Sequence, residues 1–370
     1  MKFNKWTYSL AAVGAVSLVS AARAEETHMS QLNTALSNTT ISGYIDVAAQ
    51  YNNGQRNGSA LNNNPVDGFS VNSATISLDK PLDESPWASG YHVDLNAGND
   101  QIDAFGNNST SSHFAIRQAY VAVRTPLGNG IDWKFGAFDT ILGYESSTRY
   151  LNPNYTRSIG WNLEPTSYVG LLGTYKVCDL LTVNAGIANP VSLSFDNSVG
   201  NPTLSTKNFL ASVVLTAPES FGTFKGSTLT LGTSQTFQTG GINNYYAGLT
   251  LPTPIKALAL GFAFDALQNL GDSTVGNGYV FGVYANFQAT DKMALALRGE
   301  YVEDSASFSG GSFNGEEITA TLTYNLWANV VSRVEARWDH NDHLPSGNGG
   351  VNQTGYENNI TLALNLIYKF

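Results

Sequence analysis

Cysteine is almost missing from this sequence: Cys178 is the single one in 370 residues, so no disulfide can close within the chain. Its simplest reading is a small apolar filler beside a turn. Charge is scarce too. Asp, Glu, Lys and Arg make up 13% of the residues, where a soluble domain carries about 25%. Basic residues are the scarcer sign, 19 against 29 acidic. Setting aside Lys2, Lys5 and Arg23 leaves 16 against 29, a net charge of −13. That argues against nucleic acid as a partner, because a phosphate backbone needs clustered cations. Long apolar runs are also absent after residue 24, and a spanning helix needs about 20 such residues.

Signatures of catalysis are equally thin. There is no Gly-rich phosphate loop and no Ser/His/Asp set at a diagnostic spacing, and neither His92 nor His113 has an evident Ser partner. Asp339-His340-Asn341-Asp342-His343 is a weak metal signal, because it runs into an Asn/Pro/Gly-rich stretch that reads as a loop tip. The expectation is a chain with no metal, no other cofactor and no enzymatic activity.

What is present begins at the N-terminus. Lys2 and Lys5 precede an apolar run from Leu10 to Val19, and Ala22-Arg23-Ala24 is a small-x-small cleavage site. Residues 1–24 therefore read as a secretory signal peptide, 25–39 as a short polar periplasmic segment, and 40–370 as the folded body. Gly (36), Tyr (18) and Phe (18) are abundant. Low charge with many aromatics suits strands that have lipid on one side and water on the other.

From residue 40 onward the dominant pattern has a period of two. Ile360, Leu362, Leu364, Leu366, Tyr368 and Phe370 share one parity, with Thr361, Asn365 and Lys369 on the other, so the two sets face opposite sides of a strand. Such segments recur at 40–51, 68–80, 89–99, 113–125, 130–138, 167–178, 180–189 and 207–217. The second half adds 227–238, 242–251, 256–268, 277–289, 292–304, 315–325, 327–340 and 355–370. The connections alternate in length: short at Pro126–Asn129, Asp179, Pro252–Ile255, Thr290-Asp291 and the Leu326 junction, mostly long between them. Short turns on one side and long loops on the other predict an all-β fold, a transmembrane antiparallel β-barrel of about sixteen strands. Trp87, Trp133, Trp327 and Tyr368 fit interfacial girdles.

Parity also selects an interior face. Arg333, Glu335, Arg337 and Asp339 oppose Val334, Ala336 and Trp338; Arg298 and Glu300 oppose Leu295, Leu297 and Tyr301. A cation facing lipid at the midplane costs about 2–4 kcal/mol, so these residues, with Glu317 between them, are expected to line a water-filled interior. Asp46, Asp94, Lys134 and Asp265 look inward by the same test. The plainer role for such charges is to pair and keep the lumen wet; the alternative is solute selection.

The stretch from Arg117 to Asn189 resembles the porin-2 type family of outer-membrane β-barrels described as OmpL-like. The resemblance rests on Arg117-Gln118-Ala119-Tyr120, Pro126-Leu127-Gly128-Asn129-Gly130, Gly136-Ala137-Phe138-Asp139-Thr140 and Gly143-Tyr144-Glu145. It continues through Asn152-Pro153-Asn154-Tyr155, Arg157-Ser158, Glu164-Pro165-Thr166 and Gly186-Ile187-Ala188-Asn189. It implies a channel for passive diffusion of small hydrophilic solutes or ions across the bacterial outer membrane. The competing expectations are a non-conducting structural or adhesive barrel and, further off, an outer-membrane enzyme. Trimers are common among such porins. The C-terminal strand ending on Phe370 is similar to the closing strand of outer-membrane proteins, where the last aromatic serves as an assembly signal. In many sixteen-stranded porins the third long loop folds inward. Here that loop is 139–166, and Asp139, Glu145, Arg149, Arg157 and Glu164 are its candidate constriction residues.

Overall fold

The computed structural model describes residues 38–53, 67–99, 114–189, 207–236, 241–269, 277–305, 312–341 and 358–370. Residues 1–24, expected to be a signal peptide, and most of the polar segment 25–39 lie outside the described residues. So do large parts of several long loops, including the Asp342-His343 end of the weak metal motif.

Alternating side chains across a pleated backbone produce sixteen strands. They are β1 (Thr40–Asn52), β2 (Gly68–Lys80), β3 (Ser89–Ala97), β4 (Phe114–Thr125), β5 (Ile131–Asp139), β6 (Ser167–Lys176), β7 (Leu181–Ala188) and β8 (Asn208–Thr216). The second half comprises β9 (Thr228–Thr236), β10 (Ile242–Pro252), β11 (Leu258–Asn269), β12 (Gly278–Gln288), β13 (Met293–Ser305), β14 (Ser312–Trp327), β15 (Val330–Asn341) and β16 (Asn358–Lys369). Each pairs antiparallel with its sequence neighbours, and β1 pairs with β16, which closes the barrel. Closure leaves no edge strand with unpaired backbone groups in lipid.

Two connections on the short side are longer than the others, 81–88 and 217–227. The junction expected at Leu326 falls instead at residues 328–329: Trp327 still pairs with Val330 after a register shift next to Asn325.

The outer face is apolar because the alternation is strict. On β16, Ile360, Leu362, Leu364 and Leu366 are exposed, while Asn359, Thr361, Ala363 and Asn365 are buried. Trp87 and Trp327 are 73% and 67% exposed, as girdle residues should be. Trp133 lies against the outer wall over Gly173, where a Cβ would stand 2.8 Å from its ring; its indole N–H donates to Thr125 Oγ1 at 3.0 Å.

Two β-bulges alter the inner face. On β2, Asp46 pairs with Ser73 but Val47 with Val71, so Asn72 is the extra residue. On β4, Asp94 pairs with Gln118 but Leu95 with Ile116, so Arg117 is extra. A bulge re-aims the inserted side chain, and both residues end buried, at 0% and 6% exposure.

Phe370 follows the last strand and adds one further rung. Its N–H donates to Gly43 O at 3.0 Å, and Gly43 N–H donates to Phe370 O at 2.9 Å. The ring lies over Gly43, where a Cβ would come within 2.6 Å of Cζ. Deleting Phe370 removes both closing bonds, together about 1–3 kcal/mol. It is expected to lower the folded, heat-modifiable fraction on gels, and unchanged assembly would count against this role.

Candidate functional site

Inside the barrel the third long loop, residues 140–166, crosses from β5 to β6 through the lumen. Its first segment is held by apolar contacts: Ile141, Leu142 and Tyr144 cluster with Phe138, Tyr168, Leu172, Leu210, Tyr246 and Tyr284 of the wall. Tyr144 stacks on Tyr284 with centroids 4.0 Å apart. A glycine receives it, since a Cβ on Gly261 would stand 1.7 Å from the Tyr144 hydroxyl. A second apolar group joins Ile159 and Leu163 to Ile242, Leu267, Val280 and Val302.

The rest of the loop is held through its backbone by wall charges. Glu335 accepts from Tyr155 N–H at 2.5 Å and Thr156 N–H at 2.8 Å. Glu300 accepts from Ile159 N–H at 2.6 Å and Gly160 N–H at 3.0 Å, at the start of a single helical turn (Gly160–Leu163). Guanidinium groups take the carbonyls. Arg298 donates to Thr156 O at 2.8 Å, Arg333 to Tyr150 O at 2.8 Å and Arg337 to Arg157 O at 2.6 Å. Away from bulk water, unpaired N–H and C=O groups are costly, and each carboxylate here serves two adjacent amides.

These charges are also paired with one another. Arg298 Nε donates to Glu317 at 2.6 Å and Nη1 to Glu145 of the loop at 2.7 Å. Arg337 Nε donates to Asp339 at 2.8 Å. The side chains of Arg298, Glu317, Arg337 and Asp339 have no exposed surface. Glu145 also accepts from Ser158 N–H at 3.0 Å. Within the loop, Arg149 donates to Tyr155 O at 3.0 Å, and Arg157 lies 3.9 Å above the Trp161 ring while donating to Ser146 O and Ser147 O. Glu164 is buried against Asp265. Burial, reinforced by that neighbouring carboxylate, holds its carboxyl well above the usual range.

A separate cluster occupies the inner wall of β2–β5. His92 sits between Asp79 (2.9 Å) and Asp94 (3.0 Å). Arg117 joins Asp94 and, at 2.7 Å, Asp139. Tyr120 is stacked on His92 at 5.5 Å and carries the Lys134 ammonium 4.8 Å from its centroid.

A family model described as "Putative beta-barrel porin-2, OmpL-like" matches residues 38–370. The chain belongs to that family. No curated protein matches the sequence. Among solved structures it is similar to OprB of Pseudomonas putida (11% identity, 90% of this chain and 94% of that one, TM-score 0.60). It is also similar to an anion-selective porin from Comamonas acidovorans (12% identity, 90% of this chain and 99% of that one, TM-score 0.58). The trimer form of OmpT of Vibrio cholerae is alike at 14% identity, 90% and 99% coverage and a TM-score of 0.58. At these identities the likeness concerns the fold. Membership of the porin-2 family places the chain in the bacterial outer membrane.

Within this porin-2 barrel the residues singled out by parity divide into two groups. Arg298, Glu300, Glu317, Arg333, Glu335, Arg337 and Asp339 all face inward, yet all are buried, at 5% exposure or less. They were expected on a water-lined wall; instead Arg298, Glu300, Arg333, Glu335 and Arg337 bond the loop backbone, and Glu317 and Asp339 pair with Arg298 and Arg337 behind it. Glu145, Arg149, Arg157 and Glu164 join them in the loop. Asp139 does not: as the last residue of β5 it belongs to the Arg117 cluster. Asn72 and Arg117 escaped the parity reading because bulges move them off it. Asn72 donates to Asp46 at 2.6 Å and meets the Tyr155 hydroxyl at 3.5 Å.

Removing the carboxylates at both Glu300→Ala and Glu335→Ala leaves four loop amides without acceptors, at about 1–3 kcal/mol each. Trypsin should then cut the folded double variant after Arg149 and Arg157, bonds the wild type protects. Equal resistance would mean that other contacts hold the loop.

Proposed function

We propose that this porin-2 family member is a channel for passive diffusion of small hydrophilic solutes across the outer membrane, and that its third loop forms the constriction. The observation that carries the reading is the loop itself, packed into the interior of a sixteen-stranded barrel. Barrels of roughly 16–18 strands enclose an aqueous lumen, and an infolded segment narrows it. Of the five charged candidates, Arg157 and Asp139 are half-buried, whereas Glu145, Arg149 and Glu164 are buried. Arg157 and Asp139 are therefore the two that set the local potential a passing ion meets. Diffusion through a polar lumen requires no catalytic group, so the proposed function is not enzymatic. The trimer form of the Vibrio cholerae neighbour supports a homotrimer as the proposed assembly, with lipid against the remaining apolar outer face.

One observation favours a second reading, a structural barrel that does not conduct. Every residue of 140–166 is buried or half-buried, and the loop touches walls as far apart as β1, β11 and β15. Planar-bilayer recording separates the two. The purified protein is expected to form ion-conducting pores, and excising residues 146–158 should raise the single-channel conductance and the size limit for sugar uptake. A wild type that forms no pore decides for the structural barrel. A conducting wild type whose conductance is unchanged by the excision removes the loop from the pathway.

A further inference from the structure

The returning limb of the third loop is attached differently from the rest. Elsewhere a wall charge meets a loop amide, a loop carbonyl or an opposite charge. Here Glu164, which follows the helical turn Gly160–Leu163, meets Asp265 of β11 carboxyl to carboxyl, within hydrogen-bonding reach. Both residues are buried, at 9% and 4% exposure. Glycine backbone seats both groups: a Cβ on Gly143 would collide with Glu164 Oε2, and one on Gly160 would stand 2.7 Å from Asp265 Oδ2. Glu164 Oε2 and Asp265 Oδ1 meet no donor among the described residues.

Among the described residues no Lys, Arg or His forms an ion pair with either carboxyl. The titratable and charged groups around them are Glu145 of the loop, Tyr168 of β6, Tyr246 of β10, Tyr284 of β12, and Glu300 and Arg298 of β13. Arg298 is engaged by Glu317 at 2.6 Å and Glu145 at 2.7 Å, and Glu300 by the Ile159 and Gly160 amides. Two ionised carboxylates in contact, away from bulk water and without a cation, repel strongly. A single proton turns the same contact into a hydrogen bond.

We propose that Glu164 and Asp265 share one proton, a latch that fastens the returning limb of the third loop to β11 and releases it as pH rises, so that proton concentration sets the width of the constriction. Burial and the neighbouring carboxylates hold the Glu164 carboxyl well above its usual range. A carboxyl raised in this way keeps its attachment at low pH, where the pair holds the proton. The attachment is lost as pH climbs through the raised value. Tyr155 and Thr156 donate to Glu335 instead, so the loop around them stays in place while the limb from Gly160 to Thr166 lets go. The effect on the pore rests on the channel reading; the shared proton does not.

Two measurements on the full-length mature protein test this latch. Infrared spectra of the folded barrel read protonated carboxyls directly. The difference between wild type and Glu164→Gln, and that between wild type and Asp265→Asn, should each show one protonated-carboxyl band. The band should be lost between about pH 6 and about pH 10, well above an unperturbed carboxyl. Either amide donates to the remaining carboxylate with no proton to lose, so the limb stays fastened at every pH. Single-channel conductance in KCl should therefore rise with pH in the wild type, and the rise should be lost in both variants. Glu219→Gln, on an exposed periplasmic turn, should behave as the wild type does. Heat-modifiability on gels confirms that each variant is folded. No current at any pH overturns the channel reading, and the infrared difference then decides the shared proton alone. No protonated-carboxyl band in either difference overturns the proposal. So does a wild-type conductance that ignores pH, or one whose rise persists in the folded variants.

Discussion

A polypeptide segment inside a barrel must find partners for its backbone away from bulk water, and this requirement organises the interior. Glu335 and Glu300 each take two adjacent loop amides, while Arg298, Arg333 and Arg337 take loop carbonyls. Buried charges are costly unless paired and hydrogen-bonded. Here the Arg298–Glu317 and Arg337–Asp339 pairs meet part of that cost, and the loop backbone meets more of it. The wall charges and the loop therefore depend on each other: neither is stable in its place without the other.

The second constraint is steric. The loop begins on an apolar patch of an otherwise polar interior, and glycines on the wall make room for it. Gly261 admits the Tyr144 phenol, and a Cβ on Gly232 would stand 2.5 Å from Leu142 Cδ2. Polar attachment at one arc and apolar seating at the other hold the segment against the inner wall.

Much of the fold was legible in the sequence because strand geometry converts directly into a period of two. Leu362, Leu364 and Leu366 against Thr361 and Asn365 suffice to orient β16. The inward direction of Arg298 and Arg333 follows from the same rule. Three features were not legible. Bulges insert a residue that parity cannot anticipate, and so Asn72 and Arg117 were not recognised as interior. Contacts such as Tyr155 with Glu335 join residues 180 positions apart, and no local pattern marks them. For the same reason the wall charges read as water-lined when they are covered.

The third loop is held in the lumen by hydrogen bonds from its own amides to buried wall carboxylates. Amide hydrogen exchange at Tyr155, Thr156, Ile159 and Gly160, measured by NMR in detergent micelles or bilayers, tests it most directly. Protection comparable to that of the β13 and β15 amides is the result this account predicts. Exchange as fast as that of an unprotected peptide at all four positions, in a barrel whose strands remain protected, would contradict it.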